Sequence, residues 1–251
     1  MEAGEFWSIG DYSIVGDLWS APGRDLAGSL DLTGRDVIDL ATGTGVTAIA
    51  MANLDARSVA GVDAAPKLLA EAARRADADG VDIDWIEADV TSVPLPDQSA
   101  DIVVSTFGII FADDPDAAIH ECHRLARPGG QIIFTSWSGS GLFGQIRQAL
   151  APYFPDAPVP WHESPHRIRS IVGTGVDVVE QSFVMAISSP EAFVSQLEHY
   201  SPSFIIGAQT LGDQWPQARA DLLDVVTAAG EVQRDSYRAQ VDYLVTTIPV
   251  T

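Results

Sequence analysis

The stretch DLATGTGVTAIA, residues 39–50, has the residue types of a ligand-binding turn. Gly43 and Gly45 allow backbone amides to approach a ligand closely, and their spacing fits a weak dinucleotide fingerprint in which Asp63 would bind ribose hydroxyls. Asp39 favours a different ligand, because a carboxylate in front of this turn repels a pyrophosphate and attracts a cation. Turn or helix capping is the alternative explanation for both aspartates.

The apolar pattern around this turn predicts strands that alternate with helices. Before residue 138, the predicted strands cover 36–41, 58–63, 82–89, 100–108 and 131–137, and the predicted helices cover 46–54, 65–80 and 114–130. This alternation indicates a parallel sheet with right-handed crossovers, in which ligands bind at the carboxyl ends of the strands. Later residues predict helices at 141–154, 166–173, 190–200 and 215–229, and strands at 176–188 and 241–250.

The net charge of the chain limits its possible partners, and its apolar runs indicate its location. The formal net charge is −21 over 251 residues, which argues against nucleic acid and anionic membrane surfaces because both are polyanions. The N-terminus lacks the pattern of a signal peptide, and the longest mostly apolar run, 102–112, is too short to span a bilayer. We therefore predict a cytoplasmic protein. Cys122 is the only cysteine, so no intrachain disulfide is possible.

The order of the motifs resembles the class I S-adenosylmethionine-dependent methyltransferases. The first motif of that family is an acidic residue followed by a glycine-rich turn, and DLATGTG fits it with Ala41 in place of the usual first glycine. The stretches AGVDAAP, IEADVTSVPLPD and HRLARPGG match the later motifs in order. The resemblance is strong over about 36–137, weaker towards the C-terminus, and nearest to the small-molecule branch of the quinone-biosynthesis type.

The resemblance implies S-adenosylmethionine as the cofactor and S-adenosylhomocysteine as its product. It assigns the methionine part to Asp39 and the turn, the ribose hydroxyls to Asp63, and the adenine amino group to Asp89, for which capping is again the alternative. It also places a tyrosine of GDYSIVGDLW over the cofactor. The complete predicted cofactor site is Tyr12, Asp39, Ala41, Thr42, Gly43, Gly45, Asp63, Ala64, Asp89, Val90 and Thr106.

The acceptor site is predicted from aromatic residues in the N-terminal segment, after the fourth strand and in the second half. An apolar aromatic pocket suits a planar or lipophilic small molecule. We expect substrate contacts from Trp7, Phe107, Phe111, Trp137, Trp161 and Tyr200. For a general base, His162 in the loop PWHESPHRI is the candidate, with a surface histidine as the alternative. His120 and His123 could share a helix face, but no further ligands accompany them, so we predict no metal site.

These inferences describe one α/β domain over 1–251, with a doubly wound, seven-stranded, mostly parallel Rossmann-like sheet and a helical cap. Within it, 1–35 is a lid segment, 36–137 the cofactor-binding core, and 138–240 the cap and substrate region with the remaining strands. The predicted function is methyl transfer to O, N or C of a small molecule in secondary metabolism, by a monomer or homodimer. The alternatives are a cyclase of this fold that releases methylthioadenosine, a nicotinamide-dependent oxidoreductase, and a non-catalytic binding module.

Overall fold

The apolar runs of the sequence form one mixed sheet. In this computed structural model, which describes residues 1–234 and 236–251, the strands are β1 (Asp36–Leu40), β2 (Ser58–Asp63), β3 (Asp84–Glu87), β4 (Ala100–Thr106), β5 (Ala126–Trp137), β6 (Asp177–Ile187), β7 (Gly230–Gln233) and β8 (Ser236–Pro249). The helices are α1 (Ala3–Trp7), α2 (Tyr12–Gly16), α3 (Ala21–Ser29), α4 (Val46–Ala52), α5 (Pro66–Asp79), α6 (Pro115–Leu125), α7 (Leu142–Leu150), α8 (Pro165–Val172), α9 (Pro190–Tyr200), α10 (Pro202–Leu211) and α11 (Trp215–Ala228).

The strand order is β3-β2-β1-β4-β5-β8-β6, and β7 pairs with β8 off this path. Strands β1 to β5 pair in parallel, whereas β8 runs antiparallel to both β5 and β6. The predicted doubly wound, mostly parallel sheet is therefore confirmed, with β8 as its antiparallel strand and β7 as a short eighth strand. The chain moves outward from β1 to β3 and then returns to β4 beside β1, so the strand order reverses there and leaves a crevice for a ligand.

Several elements differ from the sequence pattern for local reasons. The predicted helix 114–130 ends at Leu125, because Arg127 precedes Pro128 and the residue before a proline disfavours helical backbone angles. From Ala126 the chain is extended and joins β5, and the pairing with β4 shifts register after Ala100. The last strand begins at Ser236 rather than at 241, and α1, α2, α3 and α10 were not predicted.

Trp85 on β3 explains why two positions of the core are glycines. A Cβ added to Gly61 would overlap the ring of Trp85, and one added to Gly45 would lie 2.8 Å from Cη2 of the same ring and 2.9 Å from Ala72 Cβ. Gly61 lies beside Asp39 in the pairing of β1 with β2. The indole therefore fills the space that both glycines leave, and this packing fixes the start of α4 against α5.

Helices from the second half of the chain pack against the N-terminal segment. Helix α9 contacts α2, α10 and α11, and α11 also packs against α7. A Cβ added to Gly10 would lie 2.8 Å from the carbonyl oxygen of Tyr200 at the end of α9. No helix in residues 1–234 and 236–251 has the length and apolar character needed to cross a membrane.

Candidate functional site

A cavity of about 260 Å³ opens at the carboxyl ends of β1, β2 and β4. Its first wall, here called the turn wall, consists of Ala41, Thr42, Gly43, Thr44, Val46, Thr47, Asp63, Ala64, Asp89, Val90 and Thr106. Its second wall, the aromatic wall, consists of Phe6, Trp7, Tyr12, Trp19, Phe107 and Phe111. The remaining lining residues are Met1, Ala3, Gly16, Ser20, Gly23, Leu68, Gly108, Ala112 and Asp113.

The turn at the end of β1 is built from left-handed backbone. The φ angles are +50° at Ala41, +55° at Gly43 and +79° at Gly45. For an alanine this conformation costs roughly 1–2 kcal/mol. A Cβ on Gly108 would overlap that of Ala41, so a glycine after β4 makes room for the methyl group of Ala41.

Gly43 leaves open space on the cavity side of the turn. A Cβ added there would meet no protein atom within 4 Å. Its amide donates a hydrogen bond of 2.8 Å to Asp63 Oδ2, which ties the turn to the end of β2. A ligand can therefore approach the backbone here without displacing a side chain.

Asp63 holds the turn wall together from β2. Its Oδ2 accepts from the Gly43 amide and its Oδ1 accepts from the Ala65 amide at 2.9 Å. Burial raises the pKa of this carboxyl, and the backbone amides oppose that rise. Each oxygen accepts one bond here and a carboxylate oxygen has two lone pairs, so Asp63 retains the capacity to accept ligand hydroxyl groups.

Asp39 lies beneath the turn rather than in the cavity wall, with 1% of its surface exposed. Its Oδ2 accepts a 2.6 Å hydrogen bond from the Thr42 hydroxyl, whereas Oδ1 has no hydrogen-bond partner among the described residues. Burial raises the pKa of Asp39 to about 7, while the Thr42 hydroxyl and the backbone amide of Ala48, which lies too far or too poorly aligned for a full hydrogen bond, oppose that rise. A buried carboxylate with one unsatisfied oxygen fits a cationic ligand above it, because an approaching cation offsets the cost of its charge.

Asp89 and Thr106 line the cavity from the ends of β3 and β4. Asp89 is exposed, and its Oδ1 accepts bonds from the amide (2.9 Å) and hydroxyl (2.6 Å) of Thr91. The capping interaction weighed in the sequence is therefore present, and it uses Oδ1 and not Oδ2. The Thr106 hydroxyl accepts a 3.0 Å bond from the hydroxyl of Thr47 on α4.

The aromatic wall is a chain of ring contacts from the N-terminal helices. The Trp7 ring meets Tyr12 and Phe111 edge-on, at centroid distances of 5.1 and 5.0 Å. The indole of Trp19 donates a 3.0 Å hydrogen bond to the Tyr12 hydroxyl. Burial raises the pKa of Tyr12 to about 12, so this side chain remains a neutral phenol near pH 7.

Phe107 connects the aromatic wall to the core. It has a φ of +55° at the end of β4, and its amide donates a 3.0 Å bond to the Thr135 hydroxyl. Its ring stacks on Trp137 with centroids 3.8 Å apart and planes 9° apart, and Trp137 stacks in turn on Phe143. Trp137, a predicted substrate residue, therefore lies behind the cavity wall and supports Phe107.

The structure does not bring the other three predicted residues of the acceptor region to the cavity. Trp161 packs near Phe134, and neither it nor Tyr200 is part of the lining. His162 is 8% exposed and also lies outside the lining. Burial, and then the charge of Arg147, lower its pKa to about 4, so the imidazole is neutral near pH 7.

Sequence reasoning did not assign Phe6 and Trp19 of the N-terminal segment, or Thr44 of the turn, to the site, although all three line the cavity. The signal for Trp19 was available, since it follows Tyr12 by seven residues and such spacing returns to the same side of a helical segment. No group of three or more His, Cys, Asp or Glu side chains in residues 1–234 and 236–251 could hold a metal ion.

Part of this chain is similar in sequence to known methyltransferases. Residues 38–134 match the methyltransferase domain family. A demethylmenaquinone methyltransferase of Thermus thermophilus is 34% identical over 131 residues, which cover 51% of this chain and 59% of that protein. An uncharacterized protein of Mycobacterium tuberculosis is 34% identical over 151 residues, 59% of this chain and 55% of that protein. The chain thus spans a little over half the length of these relatives.

A solved structure extends the similarity of fold beyond the matched domain. The crystal structure of a putative methyltransferase from Bacillus halodurans superposes with a TM-score of 0.62 and 16% sequence identity. The superposition covers 91% of this chain and 97% of that one. The N-terminal segment and the second half of this chain therefore belong to the same fold as the central domain.

Proposed function

This chain belongs to the class I S-adenosylmethionine-dependent methyltransferases, and we propose that it transfers a methyl group from S-adenosylmethionine to a small-molecule acceptor. One observation carries the proposal. Asp63, Asp89 and the turn of Ala41 to Thr44, which lie apart in the sequence, line a single cavity at the reversal of strand order.

The turn wall offers a place for each part of the cofactor. In the proposed complex, Asp63 accepts hydrogen bonds from the ribose hydroxyls and Asp89 accepts one from the adenine amino group. Such bonds to an ionised acceptor are among the stronger hydrogen bonds in proteins. Asp39 acts from beneath the turn on the ammonium group, through the charge of its unsatisfied Oδ1.

The chemistry of transfer places few demands on this chain's side chains. When bound, S-adenosylmethionine supplies a methyl group on a positively charged sulfur. The rings of Trp7 and Tyr12 line the cavity, where their π faces attract positive charge. The walls must then hold the nucleophilic atom of the acceptor in line with the methyl group, because orientation alone supplies a large part of the rate enhancement of such a transfer.

Calorimetry with S-adenosylhomocysteine tests the proposal directly. We expect one site per chain, and we expect Asp63→Asn to weaken binding at least tenfold, about 1.4 kcal/mol. Asp79→Asn, an exposed aspartate at the end of α5, is the matched control and should leave the affinity unchanged. Absence of binding by the wild-type protein would contradict the proposal and would favour a binding module that retains only the fold.

Product analysis separates methyl transfer from the alternatives. With S-adenosylmethionine and a panel of small acceptors, S-adenosylhomocysteine is the expected product, whereas methylthioadenosine would indicate a cyclase. Saturable NADH binding, followed by fluorescence, would indicate an oxidoreductase. From the sequence alone we also propose that the acceptor belongs to secondary metabolism, that the protein is cytoplasmic, and that it is a monomer or a homodimer.

A further inference from the structure

The ionisable side chains of the cavity wall are all acidic or neutral. Asp63, Asp89 and Asp113 line the cavity, and no Lys, Arg or His side chain does so among the described residues. Tyr12 is the only other ionisable side chain in the lining. Even with the amino group of Met1, which also belongs to this wall, three carboxylates face a single cation.

Three basic side chains on helices that also carry lining residues, Arg24, Lys67 and Arg75, are bound to other groups. The Arg24 guanidinium donates a 2.9 Å bond to the hydroxyl of Ser20 on the exposed side, and Lys67 reaches the carbonyl oxygen of Ser8 at 3.3 Å. Arg75 forms ion pairs with Asp17 and Glu71, each at 2.7 Å. None of these three basic residues lines the cavity.

The rest of the acceptor side is apolar and aromatic. Phe6 meets Trp7 edge-on at 5.1 Å, and Trp7 meets Phe111 in the same way. Phe111 is 43% exposed although it lines the cavity, so part of an aromatic surface faces solvent at this wall. Such a surface suits a flat apolar molecule, and the π faces of these rings also favour a positive charge.

We propose that the acceptor enters this cavity as a neutral or cationic molecule with a planar apolar part, and that Asp113, which lines the cavity next to Phe111 and Ala112, excludes anions. The inference rests on the proposed function, since it describes the acceptor of the same site. A carboxylate or phosphate ester would meet like charge without a basic side chain to balance it, and like charges close together destabilise a complex. The net charge of −21 adds a repulsive field at longer range.

A matched set of three probes tests this selectivity. The probes 2-naphthylmethylamine, 2-naphthalenemethanol and 2-naphthoate share one planar apolar ring system and differ in charge. Their dissociation constants are measured by calorimetry on the full chain saturated with S-adenosylhomocysteine, at low and at high salt. We expect the amine and the alcohol to bind and 2-naphthoate to bind at least tenfold more weakly than the amine, with a smaller difference at high salt.

Two aspartates on the same surface provide the variant and its control. Asp113→Asn should reduce the ratio of amine to naphthoate affinity, because it removes one charge from the cavity wall. Asp116→Asn removes an exposed charge on α6, outside the lining, and should leave the ratio unchanged. Equal or tighter binding of 2-naphthoate, an equal response of the two variants, or no binding of any probe would overturn the inference.

Failure of the proposed function has a different signature. If S-adenosylhomocysteine does not bind, the cofactor assignment fails, and the probe order measured on the free protein still decides whether the cavity excludes anions. If S-adenosylhomocysteine binds and the three probes show no order by charge, the inference about the acceptor fails alone.

Discussion

The turn wall and the aromatic wall face the same cavity but are held by different kinds of contact. The turn wall sits on strand ends, where the Asp63 carboxylate bonds to backbone amides and Trp85 packs beneath Gly45. Most of the aromatic wall comes from α1, α2 and the turn that follows, and each of these two helices has five residues. Helices this short gain little stability of their own, so contacts with the rest of the protein must hold them.

Those contacts include two buried side chains, Val15 of α2 and Trp19 of the turn, whereas α1 has no buried residue and the polar contacts lie near the surface. Asp17 pairs with Arg75 on α5, and Ser8 accepts a bond from Lys67. Gly4 lies directly against the carbonyl oxygen of Ala64, where a Cβ would overlap it. The difference suggests a division of roles, in which a rigid turn wall defines the cofactor site and a separately held aromatic wall defines access to it. Four predictions test that contrast.

The largest expected effect is in the turn wall. Gly45→Ala combines a left-handed φ of +79° with a Cβ 2.8 Å from the Trp85 ring, and we expect a loss of about 2–4 kcal/mol in unfolding free energy. Urea unfolding measures it. Gly80→Ala is the control, since its φ is +71° and its Cβ would meet nothing within 4 Å. Equal losses in the two variants would show that packing on Trp85 does not stabilise the turn.

The sequence predicted the turn wall better than the aromatic wall because the two depend on different information. Asp63 and Gly43 follow from local patterns, an apolar strand that ends in an acidic residue or in a glycine turn, and Asp89 follows from the order of motifs that the resemblance to the methyltransferase family supplies. Parallel strands then bring their carboxyl ends together whatever the helices do. Nine of the residues predicted for the cofactor line the cavity, namely Tyr12, Ala41, Thr42, Gly43, Asp63, Ala64, Asp89, Val90 and Thr106.

The acceptor side depended on packing that no local pattern specifies. Trp161, His162 and Tyr200 were chosen because aromatic residues and histidines in a cap often face a site, yet they lie outside the lining. Their positions depend on how 138–240 packs across the sheet, and no residue of that range lines the cavity in the part of the chain that the structure describes. Asp39 and Gly45, which the sequence also assigns to the cofactor, lie at the turn but do not line the cavity.

Asp39 provides a test of charge beneath the turn wall. Its folded-state pKa of about 7 lies above the unfolded value near 3.9. The folded protein therefore keeps the proton longer as pH rises, and stability falls between about pH 4 and pH 7. Asp39→Asn removes this loss, so its stability relative to wild type should improve by about 2–3 kcal/mol from pH 5 to pH 8.

Denaturant unfolding at the two pH values gives the relative stability of Asp39→Asn, and calorimetry gives its affinity for S-adenosylhomocysteine. We expect affinity at pH 8 to fall at least tenfold although the free variant is relatively more stable there. If the difference in stability between Asp39→Asn and wild type did not change with pH, a raised pKa for the buried Asp39 carboxyl would be contradicted. Unchanged affinity would contradict its role toward the ammonium group.

The Gly43→Ala variant tests whether a ligand occupies the open space beside the turn. Gly43→Ala and Gly34→Ala both place an alanine at positive φ, +55° and +69°, with no protein atom within 4 Å of the new Cβ. Each should lose about 1 kcal/mol of stability. Only Gly43→Ala should weaken binding of S-adenosylhomocysteine, about tenfold by calorimetry, because its methyl group projects where the ligand lies. Equal affinities would place the ligand elsewhere.

The smallest effect is expected where the aromatic wall meets the turn wall. Gly4→Ala forces α1 away from the Ala64 carbonyl, whereas Gly28→Ala places a methyl group in open space on α3 and should stabilise the protein by roughly 0.5–1 kcal/mol. We expect Gly4→Ala to leave global unfolding nearly unchanged, to weaken S-adenosylhomocysteine binding about threefold, or ~0.7 kcal/mol, and to speed chymotrypsin cleavage after Phe6 and Trp7. A separately held wall should respond in this way, because the displaced helix carries rings of the cavity but little of the core. A large loss of global stability in Gly4→Ala would instead show that both walls unfold as one unit.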